Sequence, residues 1–258
     1  MMLYLLIILL LIYFIFSYFK KEGFEDNISE YKTYMNENIY NNFYAKLYDN
    51  LIHTIIYETE VIQILYEYFN SNPNVLITGC KTGHMVQLLT KLSEVTGLDN
   101  SREMIKICKY KYPKNNYIYG EYTDKSIFQK NKFTHIICPL FTIYRANLEQ
   151  YLDTMYEWLV HKGYLAIVYI KPGFNISQIQ NLKPCKAFTL NYDYTIKLEN
   201  NVIKETITAK NGNKRINKLE LNNISELEEI AKFTGFKIIK NVNVPNMHET
   251  YLLLLQKN

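Results

Sequence analysis

Hydrophobic and polar positions divide the chain into stretches of different period. Residues Met1 to Phe19 contain no charged side chain and one weakly polar hydroxyl, Ser17, before Lys20 and Lys21 interrupt the run. From Tyr31 to Phe69 apolar residues recur at helical intervals, as in Leu47, Leu51, Ile55 and in Val61, Ile64, Leu65, Tyr68, which predicts two or three helices. Pro73, within the polar stretch Asn70 to Asn74, ends them. Short apolar runs then alternate with helical stretches. Strands are predicted at Val75 to Thr78, Val95 to Leu98, Tyr117 to Tyr119, Phe133 to Cys138 and Tyr164 to Ile170. Between them fall a helix ending near Leu92, one from Ser101 to Tyr110 and one from Leu148 to Val160. Such alternation implies a doubly wound α/β domain, a parallel sheet with helices on both faces.

The pattern changes after position 186. Ala187 to Leu198, Val202 to Ala209 and Arg215 to Leu221 read as strands joined by Asn- and Gly-rich turns, an antiparallel insert. Ser225 to Thr234 reads as a helix with Ser225 as N-cap, Glu228 closing a capping box and Gly235 stopping it. Strands at Phe236 to Val242 and Glu249 to Gln256 complete the domain.

The predicted organisation is a transmembrane anchor at 1–19, a polar linker at 20–30 and a domain at 31–258 with a helical lid (31–72) and the insert (186–222). Nineteen helical residues span roughly 28 Å, against a hydrocarbon thickness of about 30 Å. No basic segment precedes the run and no small-x-small cleavage pattern follows it, which favours an uncleaved single-pass anchor over a signal peptide. Lys20 and Lys21 on its carboxyl side place the domain in the cytosol by the positive-inside rule.

Composition narrows the chemistry. The 29 basic and 25 acidic residues, for a net charge of +4, are spread along the 258 residues, which argues against nucleic acid as a partner. Cys80, Cys108, Cys138 and Cys185 form no C-x-x-C pair and the five histidines are scattered, so neither a disulfide framework nor a metal site is predicted. The 24 tyrosines reflect a general bias toward Asn, Lys, Ile and Tyr, and most of them are packing residues.

The informative stretch is Val75-Leu-Ile-Thr-Gly79-Cys-Lys81-Thr-Gly83-His, a strand entering a glycine turn that opens a helix. Backbone N–H groups in such a turn suit an anionic ligand. Asp99 ends the next strand twenty residues after Gly79, the spacing at which an acid accepts hydrogen bonds from ribose hydroxyls in nucleotide-binding folds. The alternative is structural: two glycines permitting a tight turn, and Asp99 capping the helix near Ser101.

With these features in register, the sequence resembles the class I S-adenosylmethionine-dependent methyltransferases from about Tyr40 onward. Val75 to Gly83 resembles the first motif of that family, Val95 to Met104 the second strand and following helix, Gly120-Glu121-Tyr122 the third-strand motif, and Phe133 to Tyr144 the fourth strand and its exit loop. Trp158 to Leu165 resembles the turn into strand five, and Asn42 to Asp49 resembles an aromatic helix that lids the pocket. The resemblance implies a Rossmann-like, mostly parallel seven-stranded sheet and S-adenosylmethionine as cofactor. It puts the methionine portion at Gly79, Cys80, Lys81 and Gly83, the ribose on Asp99, the adenine between Asn100 and Met104 with Glu121 and Tyr122 at its amino edge, and Cys138 beside the methyl. Simple helix core is the competing role for Met104. Ile77 stands where the family usually has an acid, Lys81 where it has a glycine and Thr134 where it has an acid; Lys81 is able to pair with the cofactor carboxylate.

The expected activity is methyl transfer to a small molecule or protein by a membrane-anchored enzyme, with the insert and the tyrosines Tyr44, Tyr48, Tyr192 and Tyr194 as acceptor walls. The Asn/Asp-Pro-Pro-aromatic signature of base methylation is replaced by Cys138-Pro-Leu-Phe141. Two rivals remain: a degenerate fold serving as a tethered binding module, and an NAD-dependent enzyme using the same turn and Asp99.

Overall fold

Alternating strand residues divide between two cores. In the computed structural model, which describes residues 31–51, 55–69, 72–171 and 184–258, strand β2 (Asn74–Thr78) sends Val75 and Ile77 to one face and Leu76 to the other. The predicted anchor at 1–19 and linker at 20–30 lie outside the described residues. Among the described residues no helix is long and apolar enough to cross a membrane.

Seven strands form the main sheet. With β3 (Glu94–Asp99), β4 (Asn116–Tyr119), β5 (Phe133–Cys138), β6 (Leu159–Ile170), β10 (Phe236–Asn243) and β11 (Thr250–Lys257), the order is β10-β11-β6-β5-β2-β3-β4. The pairs from β6 to β4 are parallel, and β11 runs antiparallel to both β6 and β10. This is the doubly wound, mostly parallel seven-stranded sheet expected from the sequence. Helices α1 (Asn42–Leu51), α2 (Ile55–Leu65), α3 (His84–Leu89) and α4 (Arg102–Lys111) cover one face. Helices α5 (Leu148–Trp158) and α7 (Leu227–Thr234) cover the other. Strand order reverses between β2 and β5, so the crevice at their carboxyl ends is where such folds bind ligands.

The insert forms a second sheet of four strands, β1-β9-β8-β7, from β1 (Lys32–Met35), β7 (Tyr192–Glu199), β8 (Val202–Ala209) and β9 (Lys214–Glu220). It departs from expectation in two places. Residues 32–35, read as part of a helical lid, are an edge strand pairing parallel with β9. Lys186–Asn191, at the start of the expected first strand of the insert, is a short helix, α6, and the strand begins only at Tyr192.

Two local expectations are also corrected. The helix α7 starts at Leu227 rather than Ser225 and no side chain caps it, because the Ser225 amide is taken by the Asn223 side chain in an Asx turn. The expected turn after Trp158 is an irregularity within one strand. Leu159 pairs with Phe133 and Tyr164 with His135, and the residues between bulge out at Lys162, whose φ is 60°.

Candidate functional site

The glycine turn is built on close approach. Gly79 has φ 67°, and a Cβ there would lie 2.3 Å from Thr142 Oγ1 of the loop leaving β5. Gly83, at the N-cap of α3, has φ 83°, and a Cβ would meet the Tyr117 hydroxyl at 2.7 Å. No other residue type passes either point without displacing a neighbour.

Asp99 holds the turn. Its carboxylate accepts the amide of Lys81 at 2.8 Å and that of Ser101 at 2.9 Å. One acceptor position on each oxygen stays available, since a carboxylate offers about four. Burial pushes the Asp99 carboxyl upward, opposed by those two amide bonds and the charges of Arg145 and Lys81. The capping alternative is thus half realised: Asp99 engages the Ser101 amide, while the N-cap of α4 is Ser101 itself, whose hydroxyl accepts the Met104 amide at 3.3 Å.

A cleft lined by Tyr40, Gly79, Lys81, Asp99, Met104, Tyr122, Phe141, Thr142 and Arg145 lies at this point, with a cavity of about 10 Å³. It brings together five of the sequence-predicted residues. Asn100 and Glu121 stand nearby, bonded to each other at 3.2 Å, and the Tyr122 hydroxyl donates to Asn100 at 3.1 Å. Gly83 closes the turn through its amide, which donates to the Cys80 carbonyl at 2.9 Å.

Two predicted residues send their side chains elsewhere. Cys80 packs into the core, its sulfur 2.9 Å from where a Cβ on Gly97 would be, so only its main chain belongs to the turn. Cys138 is fully buried on the face covered by α5, and burial pushes its thiol up to about 11, with the hydroxyls of Tyr151 and Thr78 opposing. For Cys138, the last residue of β5, strand alternation turns the side chain away from the cleft. Ile77 is likewise core, fully buried beneath α1 to α4, and does not face the cleft.

Lys81 is the unusual member. Its φ is 53°, in the left-handed region that a glycine adopts without cost. Its Nζ donates to the Leu140 carbonyl at 2.9 Å and lies 5.7 Å from the centre of the Tyr48 ring. Burial lowers its pKa to about 8, with Glu58 and Asp99 pulling the other way.

Sequence reasoning missed Tyr40, Thr142 and Arg145 as site residues. Arg145 stacks on Tyr40 at 4.6 Å, bonds Glu37 at 3.2 Å and leaves its buried Nε without a partner. Its signal was a lone arginine in an otherwise uncharged exit loop. Phe141, in the same loop, has φ 71°, and a bulky residue in that region marks stored strain.

A second cavity, of about 30 Å³, shares Tyr40, Lys81 and Phe141 with the first. Its other walls are Ile39, Tyr44 and Tyr48 from the lid and Ile196, Ile203, Glu205, Asn217 and Leu219 from the insert. Tyr44 and Tyr48 therefore line it as expected. Tyr194 stands behind it, bonded to Glu205, and Tyr192 stacks instead on Phe188 at 5.0 Å. Among the described residues no group of three or more His, Cys, Asp and Glu side chains could hold a metal.

Residues 76–167, which run from β2 through β6 and include both the glycine turn and Asp99, match the family described as a methyltransferase domain. Over those residues the chain is similar to a methyltransferase domain. Solved structures agree on the fold. The CcbJ methyltransferase from Streptomyces caelestis superposes with a TM-score of 0.65 at 14% identity, over 86% of this chain and 99% of that one. An S-adenosylmethionine-dependent methyltransferase from Clostridium acetobutylicum gives 0.60 at 16%, over 84% and 98%. A Pyrococcus horikoshii protein gives 0.64 at 16%, over 83% and 98%. No curated protein matches the chain in sequence. The fold places the glycine turn, Asp99 and the exit loop around one crevice, and the insert and lid enclose the adjoining cavity.

Proposed function

We propose that the chain is an S-adenosylmethionine-dependent methyltransferase, anchored to a membrane by residues 1–19 with its domain in the cytosol, acting on a small molecule or protein. The observation that carries the cofactor assignment is the Asp99 carboxylate, fixed by the Lys81 and Ser101 amides at the end of β3 beside the glycine turn. Its remaining acceptor positions suit a pair of vicinal hydroxyls, which bind an ionised acceptor with charge-assisted bonds. The orphaned Nε of Arg145 adds a donor on the opposite wall. The donors and acceptors suit a nucleoside but the space does not yet: at about 10 Å³ the cleft holds roughly one water, so side chains such as Lys81 and Phe141 must withdraw for a nucleoside to enter.

When bound, S-adenosylmethionine supplies an electrophilic methyl on a sulfonium. The chain then has to orient an acceptor lone pair in line with the breaking bond and keep water out. Tyr40 and Phe141, which line both cavities, supply the water-excluding wall. The uncharged run at 1–19 and Lys20–Lys21 support the anchor and its orientation. The antiparallel β11, set inside the sheet between β6 and β10, favours this reading over the NAD-dependent alternative, whose sheet is mostly parallel.

The test is isothermal titration of the full chain in detergent with S-adenosylmethionine, S-adenosylhomocysteine and NAD. Micromolar binding of the first two and none of NAD is expected. Binding of none of the three by a folded protein would favour the tethered-module reading.

A further inference from the structure

The second cavity contains a buried carboxylate that the cofactor reading does not use. Strand β8 alternates, so Ile203, Glu205 and Ile207 share its inward face, and Glu205 is a charge on an otherwise apolar stripe. Carboxylates are rarely so deeply buried without an ionic partner. Glu205 is 6% exposed and accepts hydrogen bonds from the Tyr44 hydroxyl at 2.7 Å, the Tyr194 hydroxyl at 2.7 Å and Asn217 Nδ2 at 3.1 Å. All three donors are neutral.

The nearest guanidinium is held one residue away. Arg215 donates to Asn217 Oδ1 at 2.8 Å, to Asn41 Oδ1 at 3.2 Å and to the Ile39 carbonyl at 2.8 Å, and stacks on Tyr34 at 3.9 Å. Asn217 thus stands between the two charges, and Arg215 spends its donors on neutral oxygens. Glu205 retains one acceptor position of about four, on the wall of the cavity. Around it stand the rings of Tyr40, Tyr44 and Tyr48, with Tyr40 edge-on to Tyr44 at 5.7 Å and Tyr44 to Tyr48 at 6.0 Å. Each ring already faces a resident cation, Arg145 over Tyr40 at 4.6 Å, Arg215 over Tyr44 at 5.5 Å and Lys81 over Tyr48 at 5.7 Å, so the setting suits positive charge and an entering ammonium takes the place of Lys81.

We infer that this cavity recognises the amine-bearing end of the methyl acceptor, a primary or secondary aliphatic amine, through Glu205 and the Tyr40, Tyr44 and Tyr48 rings. The inference rests on the methyl-transfer reading and deepens it. The position is suited to an acceptor group, because the cavity adjoins the cofactor cleft through Tyr40, Lys81 and Phe141. At about 30 Å³ it admits only a small end group in this conformation, which excludes aromatic heterocycles and sugars entering whole.

Saturation-transfer NMR on the full chain in detergent tests it, with n-propylammonium and its neutral isostere 1-propanol as probes. Transfer to n-propylammonium at least about tenfold above that to 1-propanol is expected, with the preference lost in Glu205→Gln. Methyl transfer from labelled S-adenosylmethionine should show the same preference and the same loss: the bound ammonium passes one proton to the Glu205 carboxylate, its freed lone pair forms the N–C bond as the S–C bond breaks, and S-adenosylhomocysteine leaves. Titration of that variant with S-adenosylmethionine should give a dissociation constant within about twofold of the parent. If Glu205→Gln fails to fold, Leu219→Phe, which fills the cavity from β9 opposite Ile203 rather than Glu205, should abolish probe binding. Equal transfer to both probes in the parent, or an unchanged preference in Glu205→Gln, overturns the inference even if the cofactor binds. Charge-selective probe binding by a chain that binds no cofactor would sink the methyl-transfer reading while leaving the amine site standing.

Discussion

Replacing Lys81 with glycine removes a side chain that lies across the cofactor cleft. For a nucleoside to enter, Nζ must leave the Leu140 carbonyl and the ammonium must leave the Tyr48 face. A hydrogen bond from a charged donor is worth about 1.5 to 3 kcal/mol and a partly buried cation–π contact about 0.5 to 1 kcal/mol. Water and the ligand carboxylate recover part of this. A net penalty of about 1.5 to 2.5 kcal/mol corresponds to roughly 10- to 70-fold in affinity. Lys81→Gly should therefore bind S-adenosylhomocysteine at least about tenfold more tightly than the parent. Lys81→Met, which keeps the bulk and loses the bond, should fall between. The parent should also show a pH signature. Between about 8 and 10.5 the unfolded chain still holds the proton that folded Lys81 has released, so through this group stability rises with pH across that window. Lys81→Met should flatten that rise in thermal unfolding. The assay is isothermal titration of parent and both variants at pH 7 and pH 9. Weaker binding by Lys81→Gly would refute the reasoning and make the amine a ligand for the cofactor carboxylate.

Asp99→Asn should weaken S-adenosylmethionine binding at least about tenfold and also lower the melting temperature, since the same carboxylate fixes the Lys81 and Ser101 amides. Unchanged affinity in a folded variant would remove Asp99 from the site. His84 Nδ1 pairs with the buried carboxylate of Glu58, and that hydrogen bond raises the His84 pKa against the opposing effect of burial. The pair's contribution should be complete below the ordinary histidine value of about 6.5 and fade as pH rises through the folded value. The melting-temperature gap between parent and Glu58→Gln should accordingly be wider at pH 5.5 than at pH 8.5, and a gap that widens with pH would contradict this. Protease added to sealed vesicles with the cytosolic face outward should digest the domain, whereas full protection would reverse the orientation.

Much of the sheet was legible because its central strands are short apolar runs buried on both faces, and Phe133–Cys138 was placed to the residue. Edge strand β1 was not, because KTYM carries no apolar stripe and its partner β9 lies some 180 residues away, which no local pattern reveals. Helix α6 was taken for strand because a run of Ala, Phe, Thr and Leu over one turn has no period to read. The site divides the same way. Gly79, Gly83 and Asp99 were found by spacing, which is set by the strand–turn–helix itself. For Cys80 and Cys138 the motif gives position along the chain and not side-chain direction, and both side chains are buried away from the cleft. Glu205 was readable as a charge between Ile203 and Ile207 on one strand face, a signal that acquires meaning only once the lid tyrosines are seen against it.

Tyr40, Lys81 and Phe141 are walls of both cavities at once. A ligand that displaces them on one side changes the shape and charge met by a ligand on the other, so the two cannot load independently. Thermodynamic reciprocity then requires that whatever factor the cofactor contributes to acceptor affinity, the acceptor returns to the cofactor. If withdrawal of Lys81 is what the nucleoside induces, it also removes a positive charge from the rim of the amine cavity. Each ligand then binds more tightly in the presence of the other, and an enzyme without its methyl donor gives its acceptor little reason to stay.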